Sequence, residues 1–448
     1  MLAENSLVEA APRAPAESPV SRAIDWTLFA IALLAITAIP KSVSGDGRLR
    51  YEVLDQFLNT GVLSSPKYST LGPLISSPLY LLGRAFGAAK AFTSYFNALL
   101  FLLALAFIGR EFKKDLPATT RRLLLVLLVF GSMFAHHVQR YYSEVFTSIL
   151  VTIGVCYLSR DHKLRGWAAI VLGAVNTPAA LLGVGAVAIV HARKVRAAWP
   201  LLAPLVTFAL LRLESWLVRG SVLLSGYDYD SGFRGDLPYA GLPNFSYPFF
   251  FGLLAIFLSF GKGLVFFTPG LFLPLPAATP ARVRWIHGAL LAFVVGLVLV
   301  YAKWWSWYGG WFWGPRFFLI ASVPASLSLA CNLANWQSAS VARRVMIALV
   351  LTLSFWVGVN GLAFQSAGLD LCIENYYRLQ PFCLFVPEMS VLWHPFVDGA
   401  ASHPPLFRAA AFVATAFWAL SLAWFGRALY ADLWHQALRA LSRARAWW

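Results

Sequence analysis

Charge is what this sequence has least of. Only 12% of its 448 residues are Asp, Glu, Lys or Arg, against 59% that are hydrophobic, where a soluble domain carries about 25% charged residues. That scarcity excludes an ordinary water-soluble globule. Acid is scarcer than base, 20 residues against 36. The net charge of +16 still does not read as a nucleic-acid footprint, because no continuous basic patch with aromatic readers exists. Also missing are a nucleotide phosphate-binding loop, an HExxH pair and a GxSxG elbow. Their absence argues against an ATP-driven pump, a zinc protease and a serine hydrolase. Four cysteines are too few for a disulfide scaffold. Cys156 and Cys331 lie in apolar runs and read as core. Cys372 and Cys383 share one loop expected on the external side, where oxidation is possible, and a disulfide between them stays open.

What is present suits lipid. Apolar stretches of roughly 17–25 residues recur along the chain, which is the transmembrane-helix signal. The first, starting near Ala23, is too long and lacks the small-residue cleavage site of a signal peptide. Lys and Arg gather in short loops at every second boundary, as at Arg110/Lys113/Lys114/Arg121/Arg122, Arg160/Lys163/Arg165, Arg193/Lys194/Arg196 and Arg343/Arg344. This is the positive-inside pattern and places those loops, and both termini, in the cytoplasm. The expected fold class is an all-α polytopic membrane protein of about 10–13 transmembrane helices with interfacial helices. Residues 1–22 read as a disordered cytoplasmic tail, 23–428 as the membrane domain and 429–448 as a basic cytoplasmic tail. External loops are expected at 42–90, 219–247, 303–315 and 365–408. A helix is expected over 264–280, and residues 248–263 read as a short re-entrant segment. Asn176-Thr177-Pro178 should break the run 166–191 into a hairpin of two short helices. Glu214, the main charge inside a predicted helix, pairs locally with Arg212 or snorkels.

On this topology the ionisable residues outside the basic turns collect on the external face, so chemistry belongs there. Asp46 stands between two glycines directly after the first apolar run. It is a candidate general base for a hydroxyl nucleophile, and Gly-Asp-Gly is equally a plain turn. Arg316 and Lys262 border apolar or aromatic sequence at the same face, where an anionic phosphate would account for them; snorkelling is the alternative. Five tryptophans fall within 304–313, either as an interfacial belt or as a platform for sugar rings. His136 and His137 are adjacent and cannot face one site from a regular helix; with Glu144 they lack metal-ligand spacing.

Three segments resemble bacterial members of the GT-C superfamily of membrane glycosyltransferases, such as the protein O-mannosyltransferases and aminoarabinose transferases. They are Gly45-Asp46-Gly47 with Tyr51, Leu58 and Gly61; Ser259-Phe260-Gly261-Lys262-Gly263-Leu264 with Pro269; and Trp307-Tyr308-Gly309-Gly310-Trp311-Phe312-Trp313-Gly314-Pro315-Arg316. Many relatives carry an acidic pair where this chain has Asp46-Gly47, and Arg-Pro where it has Asn176-Thr177-Pro178. The resemblance implies a GT-C-like helix bundle in a bacterial inner membrane. It implies an inverting transferase moving a sugar from a polyprenyl-phosphate donor to an acceptor hydroxyl on a glycan, lipid or exported protein at the external face. Asp46 would be the base, Arg316 and Lys262 the donor-phosphate contacts, and Tyr51, Glu52, Glu144, Trp307, Tyr308, Trp311 and Trp313 substrate contacts. No cofactor or metal is required by that scheme; the partners are the lipid-linked donor, the acceptor and membrane lipid, with no nucleic acid, and the protein is expected as a monomer. The sugar stays open among arabinofuranose, mannose, another hexose and an amino sugar. A transporter or flippase for a lipid-linked sugar or small solute, and a ligase using a lipid diphosphate donor, are the alternatives.

Overall fold

The computed structural model describes residues 19–65, 67–228, 242, 244–364, 367–373, 378–397 and 405–445. Most of the expected tail 1–22, Asp230 and parts of the loops 219–247 and 365–408 fall outside them. The described residues are helical, with no strand among them beyond one isolated bridge between Ser42 and Arg140. Without water to satisfy backbone N–H and C=O groups, a chain this apolar closes its hydrogen bonds within helices.

The main helices are α1 (Pro19–Ala38), α2 (Asp46–Thr60), α3 (Phe96–Glu111), α4 (Ala118–Phe130), α5 (Ser143–Ser159), α6 (Lys163–Val175), α7 (Leu181–Val195), α8 (Leu202–Arg219), α9 (Phe249–Leu258), α10 (Ala281–Tyr301), α11 (Ser322–Ala334), α12 (Val341–Ala363) and α13 (Pro405–Arg445). Among the described residues, seven helical stretches are long and apolar enough to cross a membrane, and Ser143–Ser159, Phe249–Leu258 and Thr415–Trp424 are shorter apolar helices. The protein is therefore a helical membrane protein. The expected 10–13 spans include segments such as α4 and α6, whose 13 residues rise only about 20 Å against a hydrocarbon core of about 30 Å.

The break at 176–178 lies where proline puts it. α6 ends at Val175, a 3₁₀ turn covers Pro178–Ala180, and α7 begins at Leu181. The halves take different neighbours, α6 packing along α5 and α7 along α10. The expected helix 264–280 is absent. One turn at Leu264–Phe267 and a 3₁₀ turn at Pro269–Phe272 lead into extended chain, because Pro269, Pro274, Pro276 and Pro280 remove donors that a helix needs. Conversely α13 runs unbroken through most of the expected basic tail; no Gly or Pro follows Gly426, and Ala, Leu and Arg favour helix.

The helices bring charged residues together at two ends of the bundle. At one, Glu111 pairs with Arg160 at 2.5 Å and also with Arg282, which Asp115 holds as well. Asp25 spans Arg121 at 2.8 Å and Arg122 at 2.6 Å. The other end, reached by the first residues of α5, carries the candidate site.

Candidate functional site

The site begins with a backbone seam. Leaving α1, the chain lies beside the turn before α5: the Ser42 N–H donates to the Gln139 carbonyl at 2.9 Å, and the Tyr141 N–H to the Ser42 carbonyl at 3.3 Å. Gly45 then adopts φ 53°, a conformation that glycine takes without steric cost. Gly47 sits where an added Cβ would lie 2.6 Å from the Tyr141 carbonyl oxygen. The turn and the close approach together set Asp46 as the first residue of α2, where the helix dipole favours a carboxylate. On the facing segment the Asn97 amide donates to the carbonyls of Arg140 at 2.7 Å and Tyr142 at 2.8 Å. That fixes Glu144 in the first turn of α5.

Between these acids lies Arg316. Its guanidinium reaches Asp46 at 2.7 Å and Glu144 at 3.4 Å. Its Nε donates to the Gly309 carbonyl at 2.6 Å, and its plane lies 3.9 Å from the Phe312 ring centre. Gly309, at φ 77°, lets the carbonyl approach; an added Cβ there would meet Arg316 Cγ at 3.1 Å. The side chains of Arg316 and Glu144 are each 8% exposed and that of Asp46 19%, so Asp46 is the most accessible member of the triad.

A second layer holds the first. Arg50, four residues after Asp46 and thus on the same helix face, donates to Ser143 Oγ at 3.0 Å and to the Ser69 carbonyl at 3.3 Å, and lies 4.5 Å from the Tyr68 ring. The Tyr68 hydroxyl donates to Asp46. Burial works against the charged form of Asp46, but Arg316, the Tyr68 hydrogen bond and Arg50 outweigh it and hold the carboxyl below its ordinary range. Burial, and then the charge of Asp46, pushes the Tyr68 phenol up, so Tyr68 stays a donor. Tyr68 is itself placed by Glu214, which accepts from Ser69 Oγ at 2.8 Å, Thr70 N–H at 2.7 Å and Thr70 Oγ1 at 3.0 Å. This corrects the expected local pairing of Glu214 with Arg212. Asn176 accepts from the Gly72 N–H and donates to the Ser143 carbonyl, so the helix break ties the same loops together.

The predicted residues divide by position. Asp46, Arg316 and Glu144 meet. Lys262 is buried beside them, its ammonium donating to the carbonyls of Gly310 at 3.3 Å, Gly314 at 2.9 Å and Phe312. As placed it braces the aromatic loop. Glu52 is exposed and bonded to Arg48 at 2.7 Å, and Tyr51 packs on Tyr80 at 5.9 Å; neither reaches the triad. Trp307 and Trp313 are 2% and 0% exposed, and the Trp313 indole donates to Asn360 at 2.6 Å; these rings pack the core and offer no open face. Tyr308 is buried against Trp307, with Trp311 half-buried beside it at 6.0 Å. His136 and His137 occupy a single turn rather than a regular helix, and both pack on Trp313, at 4.9 and 6.0 Å. Among the described residues no three His, Cys, Asp or Glu side chains form a metal-binding group. Cys372 and Cys383 are joined as a disulfide with Cα atoms 6.0 Å apart, and Cys156 and Cys331 are free and buried.

Compared with known proteins, the chain matches no protein-family model and no curated protein. Arg50, Tyr68 and Phe312 are the site residues that sequence reasoning did not assign. For Arg50 a signal existed in its spacing of four from Asp46.

Proposed function

We propose that the protein is an inverting glycosyltransferase that uses a polyprenyl-phosphate sugar. The observation that carries this reading is the buried Asp46–Arg316–Glu144 triad, in which one guanidinium lies between two carboxylates at the end of a membrane helix bundle. A carboxylate held below its ordinary range is ionised at neutral pH and ready to take a proton. A guanidinium that presents a planar fork suits a phosphate oxygen pair.

The donor phosphate takes over from Asp46 as the partner of Arg316. Relieved of that contact, Asp46 becomes the stronger base in the presence of donor. It accepts the proton of the acceptor hydroxyl as that oxygen attacks the anomeric carbon. The bond from the anomeric carbon to the phosphate oxygen breaks in line, and the electron pair leaves with the lipid phosphate. Arg316 stabilises the charge that develops there. Glu144 keeps Arg316 oriented, and Lys262 acts through the loop it holds. Phe312 and Trp311 flank the sugar. No metal takes part in this scheme. In this reading the basic Arg160–Arg282 end faces the cytoplasm, as the positive-inside rule favours, and the triad faces outward; a bacterial inner membrane is what the family resemblance implies.

The test is transfer by the purified full chain in detergent, with a panel of polyprenyl-phosphate sugars and membrane extract as acceptor. Asp46→Asn should lower transfer at least about 100-fold, the lower range for a general base, with helix content unchanged by circular dichroism. A fully active Asp46→Asn protein would overturn the role of Asp46. Equal donor binding by both proteins without turnover would favour a carrier.

A further inference from the structure

Far from the triad, a groove of about 600 Å³ runs between α1, α3 and α4, within the range of roughly 300–1,000 Å³ typical of small-molecule sites. Its composition is graded along its length. The mouth carries Arg22, Arg110, Lys113, Arg121 and Arg122, with Asp25 as the one acid among the described residues that line it. Asp25 is spent on Arg121 and Arg122, which leaves a positive surplus. Arg22 and Arg110 are exposed and make no ion pair among the described residues.

Below the mouth the wall is apolar, formed by Leu28, Phe29, Leu105, Leu125, Val129 and Phe130. From Arg121 to Phe130 the wall follows nine helical steps, about 14 Å at 1.5 Å per residue. That is close to half of a hydrocarbon core of about 30 Å. The groove is therefore cationic at one membrane boundary and apolar for the depth of one leaflet. Only Ala32 and Ile36 of α1 are buried, so α1 stands off from the bundle where the groove opens.

We propose that this groove is a binding site for an anionic phospholipid. Its phosphate would sit between Arg22 and Arg110, and one acyl chain would lie along the α3–α4 wall. Basic pockets between membrane helices recognise anionic lipid head groups by this division of labour, and Arg adds bidentate geometry to a phosphate. A zwitterionic lipid brings a positive group to the same mouth and gains less. The site is independent of the transferase reading, because it shares no residue with the triad.

The experiment is native mass spectrometry of the delipidated full chain, titrated with phosphatidylglycerol and with phosphatidylcholine of the same acyl chains. The wild type should prefer phosphatidylglycerol. The Arg22→Gln/Arg110→Gln double variant should bind it about 25-fold more weakly, about 5-fold per cation near the surface, with phosphatidylcholine binding unchanged. Ala106 lines the groove and is exposed, so Ala106→Trp fills the acyl track without disturbing the core and should also abolish the preference. Equal binding of the two lipids by the wild type, or a preference unchanged in either variant, would overturn the proposal and leave the arginines as snorkelling side chains.

Discussion

The two ends of the bundle set the same kinds of charge on different scaffolds. At one, Glu111 and Asp115 hold Arg160 and Arg282, residues that terminate helices or adjoin their ends, so the ion pairs clamp helices already in register. At the other, Asp46 and Glu144 hold Arg316, but each of the three is delivered by a shaped loop: Gly45, the Asn97-pinned turn and the glycine-rich run 309–314. The clamp needs only helix length and sequence order. The triad needs left-handed glycines, a carbonyl from Gly309 and an aromatic face from Phe312. On the proposed function, charges set in irregular backbone, with their freedom removed by several independent contacts, suit a reacting ligand, whereas charges at helix ends suit the packing of a membrane bundle.

Matched substitutions at the two arginines should separate the ends most strongly. Arg316→Lys keeps the charge and loses the fork, and should lower transfer by about 10²–10³-fold, the scale of one lost electrostatic contact in the transition state. Arg282→Lys should leave transfer unchanged. Equal losses in the two variants would erase the distinction drawn between the ends. Next in size, Glu111→Gln strips Arg160 and Arg282 of a shared partner and should cost about 3 kcal/mol, read as a lower midpoint in thermal unfolding in detergent, with transfer intact at low temperature.

The smallest effect concerns acidity. Asp46 accepts a proton only when ionised, so transfer falls as pH drops through its depressed value. Tyr68→Phe removes one of the groups holding that value down. The acid limb of kcat/KM should therefore move to higher pH, with the plateau little changed. An unmoved limb would show that Tyr68 does not tune Asp46.

How much of this was legible in the residues follows the same division. The helical membrane class and the break at Asn176-Thr177-Pro178 could be read from hydropathy and proline chemistry, and the unusual placement of Asp46 and Arg316 singled out two residues that the fold pairs. The absent helix at 264–280 was also readable, since four prolines stand there, but apolar length outweighed them. The junction of Asp46, Glu144 and Arg316 was not legible, because no local rule joins positions so far apart in the chain. Glu214 shows the same limit: a neighbouring arginine was the obvious partner, and the actual ones are Ser69 and Thr70. The tryptophan run looked like a platform because sequence shows which rings are close along the chain, not which faces the fold covers. Trp307 and Trp313 lie within the core.

The triad also has an order in time. Asp46 and Glu144 leave the ribosome long before Arg316, which follows Asp46 by 270 residues. At about 5–20 residues per second, Asp46 waits roughly 15–50 s for its cation. During that interval Arg50 is the cation beside Asp46, and burying the two carboxylates without Arg316 would cost several kcal/mol. The site is therefore complete only once the aromatic run has been made, and Arg316 is the last member of the triad to join it.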